Sequence, residues 1–191
     1  MKTALFIFFL LLCSCAHHSE PENNKEFHKV SQLSELEGVY KNKGNPSGYL
    51  SREIWSDSQL VIAGKINYET IEFIEVIANN NSITVKAIEN GCAVYERTYT
   101  EGHDFKVNEG KIIINRDAYL LSRGSGDVLV GPSYEQVTLG LDTNRHGKST
   151  RSEYAAGLVL FLLPVAVSDT KETEYERVSD KPTGFGNCKN R

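Results

Sequence analysis

Apolar and polar positions alternate along most of the chain, and the alternation predicts strands. Over Ser82–Glu89, Ile83, Val85 and Ala87 share one face while Thr84 and Lys86 share the other. That is the two-residue period of a half-buried strand. Comparable runs predict strands at Leu36–Tyr40, Tyr49–Trp55, Gln59–Ala63, Ile71–Ala78, Cys92–Thr100 and Lys111–Arg116. Further ones follow at Asp127–Val130, Glu135–Leu141, Ser152–Leu162 and Glu172–Val178. Ser31–Leu36 reads as a short helical turn ahead of the first strand. Asn79-Asn80-Asn81 and Asn90-Gly91 separate three strands, and such residues tolerate the positive φ of hairpin turns. Within Ile71–Ile77 the apolar phase switches between Phe73 and Ile74, which predicts a β-bulge. Short strands at regular spacing predict an all-β fold, a single antiparallel β-barrel or β-sandwich over residues 31–191 with no second domain.

Two stretches break the alternation. Ala155–Val167 is apolar on both faces for thirteen residues and contains Gly157 and Pro164. A membrane-spanning helix needs about 20 residues, so this run reads as a central strand covered on both sides, or as a surface docked on lipid or a partner. The other stretch opens the chain: Lys2 precedes the apolar run Ala4–Leu12, which is also too short to span a bilayer.

That run ends in Leu12-Cys13-Ser14-Cys15, which resembles the lipobox of bacterial lipoproteins, with Leu three places before the modified Cys and a small residue directly before it. Cys13 does not fit, because Leu12 would then occupy the small-residue position. The resemblance implies a signal peptide over residues 1–14 and a diacylglyceryl thioether on Cys15, usually with a third acyl chain on its new amino group. Each buried methylene contributes about 0.8 kcal/mol, so several chains would hold the protein firmly on a membrane. Ala16 follows where an inner-membrane protein of this class commonly has Asp. In a Gram-negative host the resemblance therefore implies an outer-membrane anchor, with the protein facing the periplasm. Residues 15–30, polar and short of β-branched side chains, then read as a lipidated flexible tether. Leu36-Glu37-Gly38-Val39-Tyr40 resembles the entry of lipocalin-like small barrels, where Gly lets the chain bend and the aromatic plugs one end.

Composition sharpens the picture modestly. With 191 residues, 40% of them hydrophobic, the chain can build a core, and frequent Ile, Val, Tyr and Gly favour strands joined by turns. A net charge of −4 gives no electrostatic footprint for nucleic acid. In an oxidising compartment Cys92 and Cys188 are expected to form a disulfide, worth roughly 4–5 kcal/mol in the chain-entropy model. His17, His18 and His28, with Glu20 and Glu22, lie in the tether and predict no metal site. Asp142, Asn144, Gly147 and Glu153 match positions one, three, six and twelve of a calcium loop. His146 stands where an oxygen ligand is wanted, and Arg145, Lys148 and Arg151 cancel the negative charge, so a hairpin loop is expected. Ser125 lacks the Gly-x-Ser-x-Gly elbow and has no partner that spacing assigns among His103 and His146. Glu72, Glu75 and Glu96 fall on strands and are expected to face solvent.

No cofactor and no enzymatic activity are expected from these residues. The expectation is noncatalytic binding of a small apolar ligand in the domain interior, or of another envelope component. The alternative is a structural or assembly accessory that presents the Leu158–Leu163 face to a protein partner, and an enzyme of unknown class stands third.

Overall fold

A computed structural model describes residues 15–55, 67–116, 129–130, 133–159 and 163–186. In chain order the first elements are β1 (Cys15–Ser19), β2 (Phe27–His28), a 3-10 turn (Leu33–Leu36), β3 (Gly38–Lys41) and helix α1 (Leu50–Trp55). Then come β4 (Phe73–Asn79), β5 (Ser82–Glu89), β6 (Cys92–Thr100), β7 (Lys106–Asn108) and β8 (Lys111–Arg116). The last are β9 (Leu129–Val130), β10 (Ser133–Asp142), β11 (Gly147–Val159), β12 (Leu163–Tyr175) and β13 (Arg177–Ser179). One sheet has the order β13-β3-β4-β5-β6, and the other β1-β12-β11-β10-β8-β7, with β2 on β10 and β9 on β11. The fold is all-β in class, and among the described residues neither sheet closes into a barrel.

Contacts divide these strands, expected as one domain, between two compact units. The smaller unit holds β1, β9 and the adjoining parts of β10, β11 and β12. In it β1 runs parallel to β12, pairing Cys15 with Val167 and Ser19 with Lys171. Glu135 there binds Arg116 and also Arg151, the latter at 3.1 Å. The larger unit holds the whole five-stranded sheet, β2, β7, α1, most of β8 and the remaining parts of β10 to β12. Its core draws on both sheets, joining Tyr40, Ile74 and Val85 with Ile112, Leu141 and Tyr175.

The alternation in Ser82–Glu89 places Ile83, Val85 and Ala87 in that core, and Asn90 (φ 50°) and Gly91 (φ 72°) make the hairpin turn that follows. No bulge occurs at Phe73/Ile74. Strand β4 pairs with β5 without a shift from Phe73–Ile88 to Asn79–Ser82, and the irregularity falls instead between Ala87 and Ile88 against β6. The phase switch has another cause: Glu75, on the face opposite Ile74, is buried beneath Thr183 and Gly184.

Tyr49–Trp55, expected as a strand, contains helix α1. Leu50 and Ile54 lie one turn apart and are both buried, so the segment carries a helical stripe as well as an apolar run. Asn42 starts the helix from a distance. Its carbonyl oxygen accepts from the Leu50 amide and its Oδ1 from the Ser51 amide, both at 2.8 Å, while its Nδ2 donates to the Tyr68 and Ile71 carbonyls. Ser31–Leu36 forms the expected turn, with Glu35 Oε1 accepting from the Ser31 amide (2.7 Å) and hydroxyl (2.8 Å). These bonds hold the Glu35 carboxyl down at about 2, below its ordinary 4.5.

Residues 15–30, read from the sequence as a tether, carry β1 and β2. Lys148 holds the second half of this stretch: its Nζ donates to Asn24 Oδ1 (2.7 Å) and to the Lys25 carbonyl, pairs with Glu172 at 2.7 Å, and stands over the Phe27 ring. Predicted strand Gln59–Ala63 lies outside the described residues, as do Asp127 and the residues 160–162. The apolar run Ala155–Val167 comprises the end of β11 and the start of β12, not one strand.

Candidate functional site

A concave feature with an apolar lining lies in the core of the larger unit. It is a cavity of about 60 Å³ lined by Tyr40, Leu50, Ile54, Val85, Tyr99 and Ile112, among others. Both phenols donate their hydroxyls to main-chain carbonyls: Tyr40 to Leu36 (2.8 Å) and Tyr99 to Ile54 (3.3 Å). The rings therefore contribute apolar surface without stranding a polar group. Burial pushes the Tyr40 phenol up to about 12, so it stays a neutral donor at any physiological pH. The volume is below the roughly 150 Å³ that accepts benzene, so it suits a group of a few carbon atoms.

Cys15, the expected lipidation site, begins β1 and pairs in register with Val167, the last residue of the apolar run. Cys92 begins β6, and Cys188 lies outside the described residues. The neighbouring amide of Ala93 donates to the Gly186 carbonyl at 3.1 Å, so the chain leading to Cys188 runs beside the start of β6. Ser125 lies outside the described residues. His103 is 86% exposed and paired with Asp104 at 3.3 Å. His17 and His18 are exposed on β1, and His28 lies 3.8 Å from Glu35.

The three strand carboxylates separate. Glu72 is exposed, and Glu96 is exposed beside Lys86 at 3.9 Å. Glu75 departs from the expectation of solvent: it is fully buried, its Oε1 accepts from Thr183 N (2.7 Å), Thr183 Oγ1 (3.1 Å) and Gly184 N (2.9 Å), and its Oε2 lies 3.6 Å from Lys86 Nζ. It faces away from the cavity, so it is a clamp on the C-terminal segment and does not touch the candidate ligand site.

Asp142–Gly147 forms the expected hairpin loop between β10 and β11. Asp142 Oδ1 accepts from the amides of Asn144 and His146, each at 2.8 Å, and Arg145 takes a positive φ of 66°. Glu153, the twelfth position of the calcium pattern, is bound by Arg151 at 2.6 Å. A different carboxylate joins the loop: Glu174 of β12 places Oε1 2.7 Å from His146 Nδ1. Spacing along the chain gives no sign of this partner, because it arrives from a neighbouring strand. The chain matches no family model, and neither a curated protein nor a solved structure matches it.

Proposed function

We propose that the chain is a lipid-anchored lipoprotein of the bacterial cell envelope, held on the outer membrane and facing the periplasm, that acts by noncatalytic binding of a small apolar group. The cavity carries the binding reading, because its lining is apolar and its two phenols are satisfied on main-chain carbonyls. Its size favours the end of an acyl chain or one aliphatic side chain of an envelope component over a whole lipid. For the larger unit we favour a sandwich over a barrel, since its core lies among side chains of two open sheets. The anchor reading rests on Leu12-Cys13-Ser14-Cys15.

Methyl-resolved NMR of a chain begun at Ala16 tests the binding reading, with xenon and short alkyl chains as probes. Shifts are expected at the Val85 and Ile112 methyls, and Val85→Ile, which adds one methylene to the lining, should weaken them. A folded protein whose methyl resonances ignore every probe would sink the binding reading. A second reading, an assembly accessory presenting the Leu158–Leu163 face, draws support from the pairing of Cys15 with Val167, which sets an acyl anchor beside that apolar run.

A further inference from the structure

We propose that Asp142, His146 and Glu174 bind one divalent transition cation of the zinc class at the turn between β10 and β11. One ligating atom from each of the three lies within 4.8 Å of the other two. Atoms sharing a tetrahedral Zn²⁺ at about 2.1 Å lie about 3.4 Å apart, so modest rotations of His146 and Glu174 close the set. The ion would take the place of the hydrogen bond between His146 Nδ1 and Glu174 Oε1, which stand 2.7 Å apart.

Asp142 supplies the independent sign of a ligand. Its side chain is 1% exposed, and Oδ2 is buried without a hydrogen-bond partner. A buried carboxylate oxygen left unpaired is costly, and a cation bound there removes the cost. Oδ1 is already committed to the amides of Asn144 and His146, which fixes the carboxylate and leaves Oδ2 as its open donor. Glu174 is equally fixed at its backbone, exchanging two hydrogen bonds of 2.9 Å with Asn45.

Charge favours the site. Two carboxylates balance a divalent ion, and the nearby cations are engaged elsewhere: Arg145 faces Glu35 at 3.5 Å and Lys148 faces Glu172 at 2.7 Å. The imidazole selects against calcium and magnesium, which prefer oxygen, and toward zinc and its transition-metal neighbours. Two carboxylates and one imidazole leave a fourth position open to water or a ligand.

The test uses the full-length chain in detergent, stripped with a chelator and titrated with Zn²⁺ against a chromophoric chelator. Co²⁺ in place of Zn²⁺ gives a visible absorption band as a second readout. One equivalent of Zn²⁺ should bind, and His146→Ala and Glu174→Gln should each weaken it by about tenfold or more. A chain carrying His17→Ala and His18→Ala should bind as the native one does. Should His146→Ala fail to fold by circular dichroism, the near-isosteric Glu174→Gln carries the test alone. Absence of stoichiometric binding, undiminished affinity in folded Glu174→Gln, or loss of binding in the His17/His18 variant each overturns the proposal.

Discussion

Glu75 clamps residues 183–184 onto the outer face of β4, and Glu75→Ala measures that clamp. Its Oε1 accepts from three donors within 3.1 Å, and the side chain is fully buried. Hydrogen bonds to a charged acceptor contribute roughly 1.5–3 kcal/mol each, but they are not additive when they share one oxygen. Breaking a buried charged pair typically costs 3–5 kcal/mol, because the stranded partner remains buried. Here two features relieve the stranding. Lys86 has a second carboxylate, Glu96, at 3.9 Å, and the Thr183 and Gly184 amides can reach water once the segment lifts. The expected loss is therefore about 3 kcal/mol, at the low end of that range. Glu75→Gln keeps one acceptor and the volume, and should lose about 1 kcal/mol. Urea unfolding gives both values, and limited chymotryptic proteolysis at Phe185 should accelerate in Glu75→Ala alone. A loss below about 1 kcal/mol in Glu75→Ala, with proteolysis unchanged, would refute the clamp.

Cys92 and Cys188 should form a disulfide, read as an intact mass two hydrogens below the reduced form, and stoichiometric alkylation before reduction would exclude it. With the bridge intact, reduction should be needed before Phe185-cleaved Glu75→Ala releases its C-terminal fragment. The Glu35 carboxyl, pulled from 4.5 down to about 2 chiefly by the Ser31 amide and hydroxyl, gives stability that is present above about pH 4.5 and fades as pH falls toward 2. The gap in urea midpoint between native protein and Glu35→Gln should close over that window, and a gap constant down to pH 2 would contradict it. Cys15→Ala should abolish incorporation of labelled palmitate and leave an unprocessed precursor, and label that persists would move the lipidation site elsewhere.

The strand content was legible because period-two patterning and hairpin residues are local signals. Ser82–Glu89, Cys92–Thr100 and Lys111–Arg116 carry both, and their bounds match the elements observed. What escaped depends on partners distant in sequence. Tyr49–Trp55 is short and apolar in both readings, and the helix is settled by Asn42, whose side chain and carbonyl take the first amides. The phase switch at Phe73 and Ile74 records a tail of the chain covering the outer face of β4, which alternation alone cannot distinguish from a bulge. The loop at Asp142 shows the same limit in its chemistry. His146 looked like a defect because an oxygen ligand is wanted at its place in a calcium pattern whose second carboxylate was Glu153, whereas the sheet supplies Glu174 from β12.

The N-terminal stretch changes what an anchor at Cys15 would mean. A leash of polar residues would let the domain stand away from the bilayer by an extended length of roughly 3.3 Å per residue. Instead, Cys15 through Ser19 each have a partner on β12, from Val167 to Lys171, and Lys148 ties Asn24 and Lys25 to the larger unit. The backbone of Cys15 lies at the edge of the sheet itself, beside Val167 at the end of the apolar run. Standing off the membrane would require peeling β1 from β12 and losing that parallel pairing. Were Cys15 acylated, a chain that kept the β1 edge at the lipid surface would keep that pairing intact.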